Sequence, residues 1–456
     1  MASGRQAASG PQRRLGVLDA TALVAGSMIG SGIFIVSADI ARRLPAPGWL
    51  LLVWTLAGML TVAGARSYGA LAAAMPQAGG QYAYLAELYG PLAGFLYGWT
   101  LVLVIQTGTI AAVAVAFAKF TGVFLPNLPV QAVAVAVILL LTAINARGLE
   151  AGRRVQNAFT ATKVLTLVAV IVLGLLFGDP AARAANLAAS PFATGLALRD
   201  ALPLLGAAMV GALFSSTAWP NVTFTAAETH DPRRTVRRAL VLGTSLVCGL
   251  YLATNVVYLN VLPLTGAPDG ADVVARGIQH ATADRVGTAV VERIAGAGWG
   301  QGVMAIGVMI STFGCANGLV LAGARVAWAM AGDGLFPAPV RRLNVHQVPG
   351  VALWLQGAWA SLLALSGRYG DLLDYVVIAE LLFYLLAVGG LFVLARRTGA
   401  PPSGVAYPWL QLAYVVVVTV LVLDLLVTKP AYTWGSVAVV LSGLPVYFVV
   451  RGRALR

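Results

Sequence analysis

Charge is scarce in this sequence. Asp, Glu, Lys and Arg make up only 10% of its 456 residues, whereas a soluble globular domain carries roughly a quarter. Cysteine and histidine are scarcer still. Cys248 and Cys315 both sit inside apolar runs, and His230, His280 and His346 are scattered between runs. Two such cysteines exclude a disulfide framework, and the histidine spacing offers no metal-ligand set. No nucleophile lies at motif spacing from a base, so an enzyme has little support and no cofactor is expected. An inserted soluble domain is missing too, since the longest connection between apolar runs spans 263–299.

What remains is apolar. Hydrophobic residues make up 59% of the chain, and the mean hydropathy is +0.84. With about 20 apolar residues per crossing, twelve spans are expected at 17–40, 48–75, 91–118, 130–146, 155–178, 200–227, 236–262, 300–330, 350–366, 371–395, 407–428 and 431–450. The net charge of +13 resides in short clusters between these spans. It does not form one basic face for nucleic acid, so the lipid bilayer is the expected partner. With the N-terminus inside, eighteen of the thirty Lys and Arg fall on the cytoplasmic side, as the positive-inside rule asks, although Arg42 and Arg43 dissent. The expectation is an all-α multi-pass protein of a cell membrane with both tails, 1–16 and 451–456, in the cytoplasm. The mixed apolar and charged pattern of 263–299 suggests short surface helices, read as a lid in preference to a bland loop.

Two spans are poor helices. Span one, LDATALVAGSMIGSGIFIVSADI, carries Gly26, Ser27, Gly30, Ser31 and Gly32. Gly26-x-x-x-Gly30 fits small-residue helix packing. It equally fits a broken helix whose freed N–H groups hold a carboxylate and whose freed carbonyls hold a cation. Span six repeats the pattern five helices later with Gly206, Gly211, Ser215, Ser216, Thr217 and Pro220. A pair of interrupted spans in corresponding places points to an inverted repeat with a site at the midplane. Lys163, near the middle of span five, is functional by default, or else snorkels or is structurally paired.

Several stretches resemble one family. GSMIGSGIF (26–34), MPQAGGQYAYLAELYGPLAGFLYGW (75–99), VQNAFTATKVLTL (155–167), FSSTAWPNVTFTAAETHDPRR (214–234) and STFGCANGLVLAGARVAWAMAGDGLFP (311–337) are similar to helix regions of the amino acid–polyamine–organocation superfamily. The likeness is to its L-type amino-acid transporter-like branch. The resemblance implies the leucine-transporter fold of 12 transmembrane helices. In it, 17–178 and 200–395 form two inverted five-helix repeats with broken helices one and six, and 407–450 adds a peripheral pair. It implies an amino-acid site at Ser27, Met28, Ile29, Gly30, Ser31, Gly32, Phe214, Thr217 and Ala218. The carboxylate would meet N–H groups around Gly30, Ser31 and Gly32, and the ammonium would meet carbonyls of Met28, Phe214 and Thr217. Phe214 would close over the substrate, unless it is a packing residue. Gln106, Thr109, Val113, Trp219, Asn221 and Glu380 would line the pocket further out.

By the same resemblance, Lys163 stands where sodium-coupled relatives hold Na⁺, near Gly26, Ser27 and Ser311. Sodium-independent transport is therefore expected. Departures from the family pattern are Ala218 for a glycine, Pro220 for an asparagine, and Ala70 for a glutamate in span two, where Arg66 is also unexpected. Arg66 either snorkels or pairs with Glu228. Glu380 could bind a cationic side chain or take up a proton. The expected function is exchange or facilitated transport of neutral amino acids by alternating access. Alternatives are a proton-coupled or basic amino-acid or polyamine carrier, or a channel or nutrient receptor. No cysteine lies between spans three and four, where heteromeric members carry one, so no covalent accessory chain is expected.

Overall fold

The computed structural model describes residues 13–77, 79–188, 190–192, 198–366, 369–402 and 406–454; most of the two expected tails lies outside them. Span one is divided. Helix α1 (Val17–Met28) ends at an extended Ile29, one 3-10 turn follows at Gly32–Phe34, and α2 (Val36–Arg43) continues. Helix α3 (Pro47–Ala74) opens with proline in its first turn, where the missing N–H costs nothing. Helix α4 (Gln81–Tyr89) leads into α5 (Pro91–Thr100), a π turn at Leu101–Ile105, and α6 (Gln106–Thr121). Then come α7 (Val130–Ala146), α8 (Leu149–Leu176) and α9 (Pro180–Ala188).

The second half follows. Span six is divided into α10 (Leu198–Ser215) and α11 (Asn221–Phe224), followed by α12 (Pro232–Val261). The 263–299 connection folds into α13 (Val273–Arg276) and α14 (Val286–Ala295). Helices α15 (Ala297–Gly332), α16 (Gly350–Leu365), α17 (Tyr369–Thr398), α18 (Trp409–Thr428) and α19 (Pro430–Ala454) complete the chain.

Eight helical runs among the described residues are long and apolar enough to cross a membrane. They are α3, α5–α6, α8, α12, α15, α17, α18 and α19. The other expected spans fall short for two reasons. α7 has 17 residues and α16 has 16, which at about 1.5 Å per residue reach less than a hydrocarbon core of about 30 Å. α1 and α10 stop at their breaks.

Packing follows from small residues and long apolar faces. α3 lies along α12, α6 along α15, and α7 along α16. α1 is cradled by α8, α12 and α15, while α10 packs on α2, α3 and α17. Large apolar side chains also point outward, notably Leu165 and Leu176 on α8, Trp354 and Leu362 on α16, and Val420 and Val427 on α18. So much exposed apolar surface is costly in water and neutral against lipid tails.

Candidate functional site

The backbone ladder of α1 ends where Ile29 N–H donates to Ala25, and resumes where Phe34 donates to Ser31. Across this gap the carbonyls of residues 26–30 leave the helix and are met by side chains from three other helices. Lys163 on α8 is buried and extends its ammonium to Gly26 O at 2.6 Å and Ile29 O at 2.7 Å. None of the described ion pairs includes it. Ser311 on α15 donates to Ile29 O or Gly30 O at 3.1 and 3.0 Å. Cys315, one turn on, lies 2.9 Å from Ser27 O through its sulfur. The lysine stem passes Gly314, where a Cβ would come within 2.6 Å of Phe159 Cβ and 3.2 Å of the lysine Cε. Glycine there keeps the channel for the stem open.

The break in α10 has its own chemistry. Hydroxyls turn back on the last helical turn: Ser215 Oγ donates to Gly211 O at 2.8 Å, and Thr217 Oγ1 to Phe214 O at 2.8 Å. Pro220 brings no N–H. Ala218 between them takes a left-handed φ of 67°, a conformation that costs an L-residue about 1–2 kcal/mol and glycine almost nothing. This is the physical sense of the glycine that the family pattern places there.

The two breaks touch. A Cβ on Gly32 would lie 2.7 Å from Ser215 Cβ, so only glycine permits this approach. Tyr251 on α12, fully buried, directs one hydroxyl at Met28 O and Ser215 O, each at 3.1 Å. It thereby spans the two breaks. Tyr258, two turns on, donates to Ile33 O at 3.2 Å, and Asn255 accepts from Ser37. One polar stripe of α12 thus supports the whole α1–α2 interruption.

The structure brings Ser27, Met28, Ile29, Gly30, Gly32, Lys163 and Ser311 together around the two breaks. The Met28 carbonyl, expected to receive an ammonium, accepts from Tyr251 and keeps a second lone pair, whereas the Phe214 carbonyl, expected likewise, already accepts from both the Thr217 N–H and its hydroxyl. Phe214 is half-buried and packs on the core. Gln106 donates to Leu319 O at 2.8 Å and Thr109 to Ile105 O at 2.6 Å, so both are tied into helix packing. Val113 and Ala218 share an apolar cluster with Cys315. Trp219 is buried edge-on to Tyr68, with ring centroids 4.8 Å apart. Asn221 is buried with an unpartnered Nδ2, and Ser27 Oγ is likewise unpartnered, among the described residues. Tyr251 and Cys315 escaped the sequence reading. The recoverable signal was the 251, 255, 258 spacing of polar residues on one face of an apolar helix.

Each end of the bundle carries a charge-paired contact between elements far apart in the chain. On the face bearing the N-terminus, Arg325 of α15 grips Glu228 with two bonds of 3.0 Å, buried, while Arg14 and Leu15 N–H groups donate to Glu228 O. Glu228 therefore belongs to Arg325, and Arg66 instead lines an open cleft with Trp54 and Cys248. On the opposite face Arg42 of α2 reaches Asp284 at 2.6 Å and Gln279 O at 3.0 Å. The hydrogen bond that Arg42 donates to the Asp284 carboxylate pushes the guanidinium pKa up. Next to it Gly287 of α14 abuts Phe34, so the 263–299 connection sits over the first break. Among the described residues no group of three or more His, Cys, Asp or Glu could hold a metal.

A family model for amino acid permeases matches residues 15–450. The chain belongs to the amino acid permease family. That match spans both breaks and every helix that supports them in this permease. The b(0,+)-type amino acid transporter 1 of Mus musculus is 27% identical over 448 residues, covering 96% of this chain and 88% of that protein. The Asc-type amino acid transporter 1 of Homo sapiens is 27% identical over 452 residues, covering 96% and 82%. The large neutral amino acids transporter small subunit 2 of Homo sapiens is 28% identical over 455 residues, covering 96% and 80%. Family and apolar helices together make this permease a multi-pass membrane protein.

Proposed function

We propose that this permease is a sodium-independent exchanger or facilitator of neutral amino acids that works by alternating access. The observation that carries the proposal is the Lys163 ammonium on two freed carbonyls of the α1 break, 2.6 and 2.7 Å away. Carbonyls that converge on one point need a cation, and a tethered one removes the need for Na⁺. The substrate carboxylate fits the N–H groups of the Gly30–Gly32 turn, and its ammonium the spare lone pair of Met28 O and the Thr217 carbonyl. Phe214 serves as the cover. A zwitterion can leave water at mid-membrane only where fixed dipoles replace its hydration. The neutral class is favoured because one relative is named for large neutral amino acids and, among the described residues, no acid cluster faces the breaks.

Twelve crossings in two inverted repeats, 17–178 and 200–395, suit the neighbour relations. Advancing each helix of the first repeat by five spans turns the α1–α8 pair into α10–α17, α6–α7 into α15–α16, and α8–α15 into α17–α6, all of which pack. The side bearing Arg325, Glu228 and both tails is taken as cytoplasmic, consistent with its excess of arginine. No cysteine occupies 122–129, so an accessory chain, if any, would bind without a disulfide.

Uptake of labelled alanine and leucine into liposomes holding the purified permease tests this. Rates should be equal in Na⁺ and in choline and should rise with internal amino acid. A steep sodium requirement would overturn the assignment, and stoichiometric binding without flux would favour a receptor. The buried Glu380 favours a second reading, in which protons are coupled to the same transport.

A further inference from the structure

Glu380 sits near the middle of α17 with 7% of its surface exposed. Its Oε2 has no hydrogen-bond partner among the described residues, and neither has the Tyr384 hydroxyl one turn away. Both line a cavity of about 20 Å³ enclosed by α3, α10, α17 and α18, together with Thr61, Ser216, Thr217 and Tyr414. A cavity of this size holds about one water, so no substrate side chain fits there in this arrangement.

Among the described residues no countercharge faces the carboxyl. The titratable neighbours are tyrosines: Tyr384 on α17, Tyr68 on α3, Tyr97 on α5 and Tyr414 on α18. Charged groups on the packed helices are engaged or face elsewhere. Arg397 binds the Glu87 and Leu88 carbonyls of α4, and Arg451 of α19 binds Tyr447. Arg66 of α3 lies in its cleft, and Asp424 of α18 lies against Gly206 of α10. Arg199 and Asp200 of α10 pair with each other, and Lys119 of α6 is exposed.

An ionised carboxylate in such a place lacks both water and a cation, and burial of that kind costs far more than accepting a proton. The neutral acid has a hydroxyl to donate, and the hydroxyls of Ser216 and Thr217, on the α10 break, share its cavity. We propose that Glu380 and this cavity form a proton-binding site that couples proton uptake to movement of the α10–α11 break. The proton binds to Oε2 when the permease is closed as here, and leaves to water when the break swings and the cavity opens. This rests on the transport assignment above and adds the coupled ion and its residue.

Two measurements test it. Infrared difference spectra of the purified permease across a pH titration should show a protonated-carboxyl C=O band that disappears in Glu380→Gln and shifts in Glu380→Asp. In liposomes at symmetric pH, alanine exchange by the wild type and Glu380→Asp should rise several-fold as pH falls. Glu380→Gln, fixed in the neutral form, should show no such rise, and an inward pH gradient should drive accumulation only in the wild type and Glu380→Asp. A carboxyl band that survives in Glu380→Gln, or a Gln variant that follows the wild-type pH profile, overturns the proposal. Robust exchange without pH dependence in the wild type overturns the coupling while leaving the transport assignment intact. Absence of any amino-acid flux overturns the transport assignment, and the infrared band still decides whether Glu380 binds the proton.

Discussion

Replacing Lys163 by alanine separates stability from function in a way the structure lets one work out. The mutant loses two charge-assisted hydrogen bonds, to Gly26 O and Ile29 O, worth about 1.5–3 kcal/mol each. It also sheds the penalty of burying an ammonium, which is several kcal/mol. These terms nearly cancel, so thermal unfolding in detergent should move by only a few degrees. The local effect does not cancel. Gly26 O is left without a donor, while Ile29 O keeps the Ser311 hydroxyl; one such carbonyl costs about 1 kcal/mol even at the low end, which lowers the population of this arrangement of the break roughly 5-fold. Exchange that must pass through it should fall by a similar factor in choline. The vacated space faces converging carbonyls and the Ser311 hydroxyl, so Na⁺ should restore part of the rate. Lys163→Met, which fills the space with a thioether, should be slow and blind to sodium. The assay is labelled-alanine exchange by wild type and both variants in choline and in Na⁺. Wild-type rates for Lys163→Ala in choline would return the lysine to a purely structural role.

Further substitutions at Gly30, Gly32, Ala218 and Phe214 probe the breaks. Gly32→Ala drives a methyl into Ser215 and should cost about 1–3 kcal/mol of stability. Gly30→Ala, with only Cys315 Sγ at 3.5 Å, should unfold like the wild type yet bind substrate more weakly. Gly249→Ala, with nothing near, is the control, and equal damage at all three in thermal-shift and binding assays would refute the distinction. Ala218→Gly relieves a left-handed alanine and should raise stability by up to about 1 kcal/mol after the entropy of glycine is counted. Ala218→Val should lower it, and the reverse order of melting temperatures would contradict the geometry. Phe214→Ala should keep measurable affinity and lose most exchange, because closure limits many carriers, while Phe214→Trp keeps more. Equal exchange by the two would make Phe214 a packing residue.

The breaks were legible because they are written in residues that weaken helices: Gly30, Ser31 and Gly32 in one, and Ser215 to Pro220 in the other. Lys163 was legible because a lysine amid apolar residues is expensive wherever it lies. Its partners were not. Tyr251 with Met28, Cys315 with Ser27, and Arg325 with Glu228 join positions more than ninety residues apart, and no local pattern marks which carbonyl a buried tyrosine will meet. The π turn at Leu101–Ile105 is built from leucine, valine and isoleucine, which carry no sign of it. Gln106 and Thr109 were placed in the pocket by resemblance, and the structure shows each already tied to a backbone carbonyl.

The Tyr251 hydroxyl carries a single proton and faces two acceptors, one on each interrupted helix. While Met28 and Ser215 stay together it can be shared. Once the two segments part, it must follow one and desert the other. The deserted carbonyl then lies open at mid-depth with a full lone pair, ready for an amine or for water. On the alternating access proposed above, one phenol makes the two breaks unequal in a single step, keeping its hold on one and releasing the other.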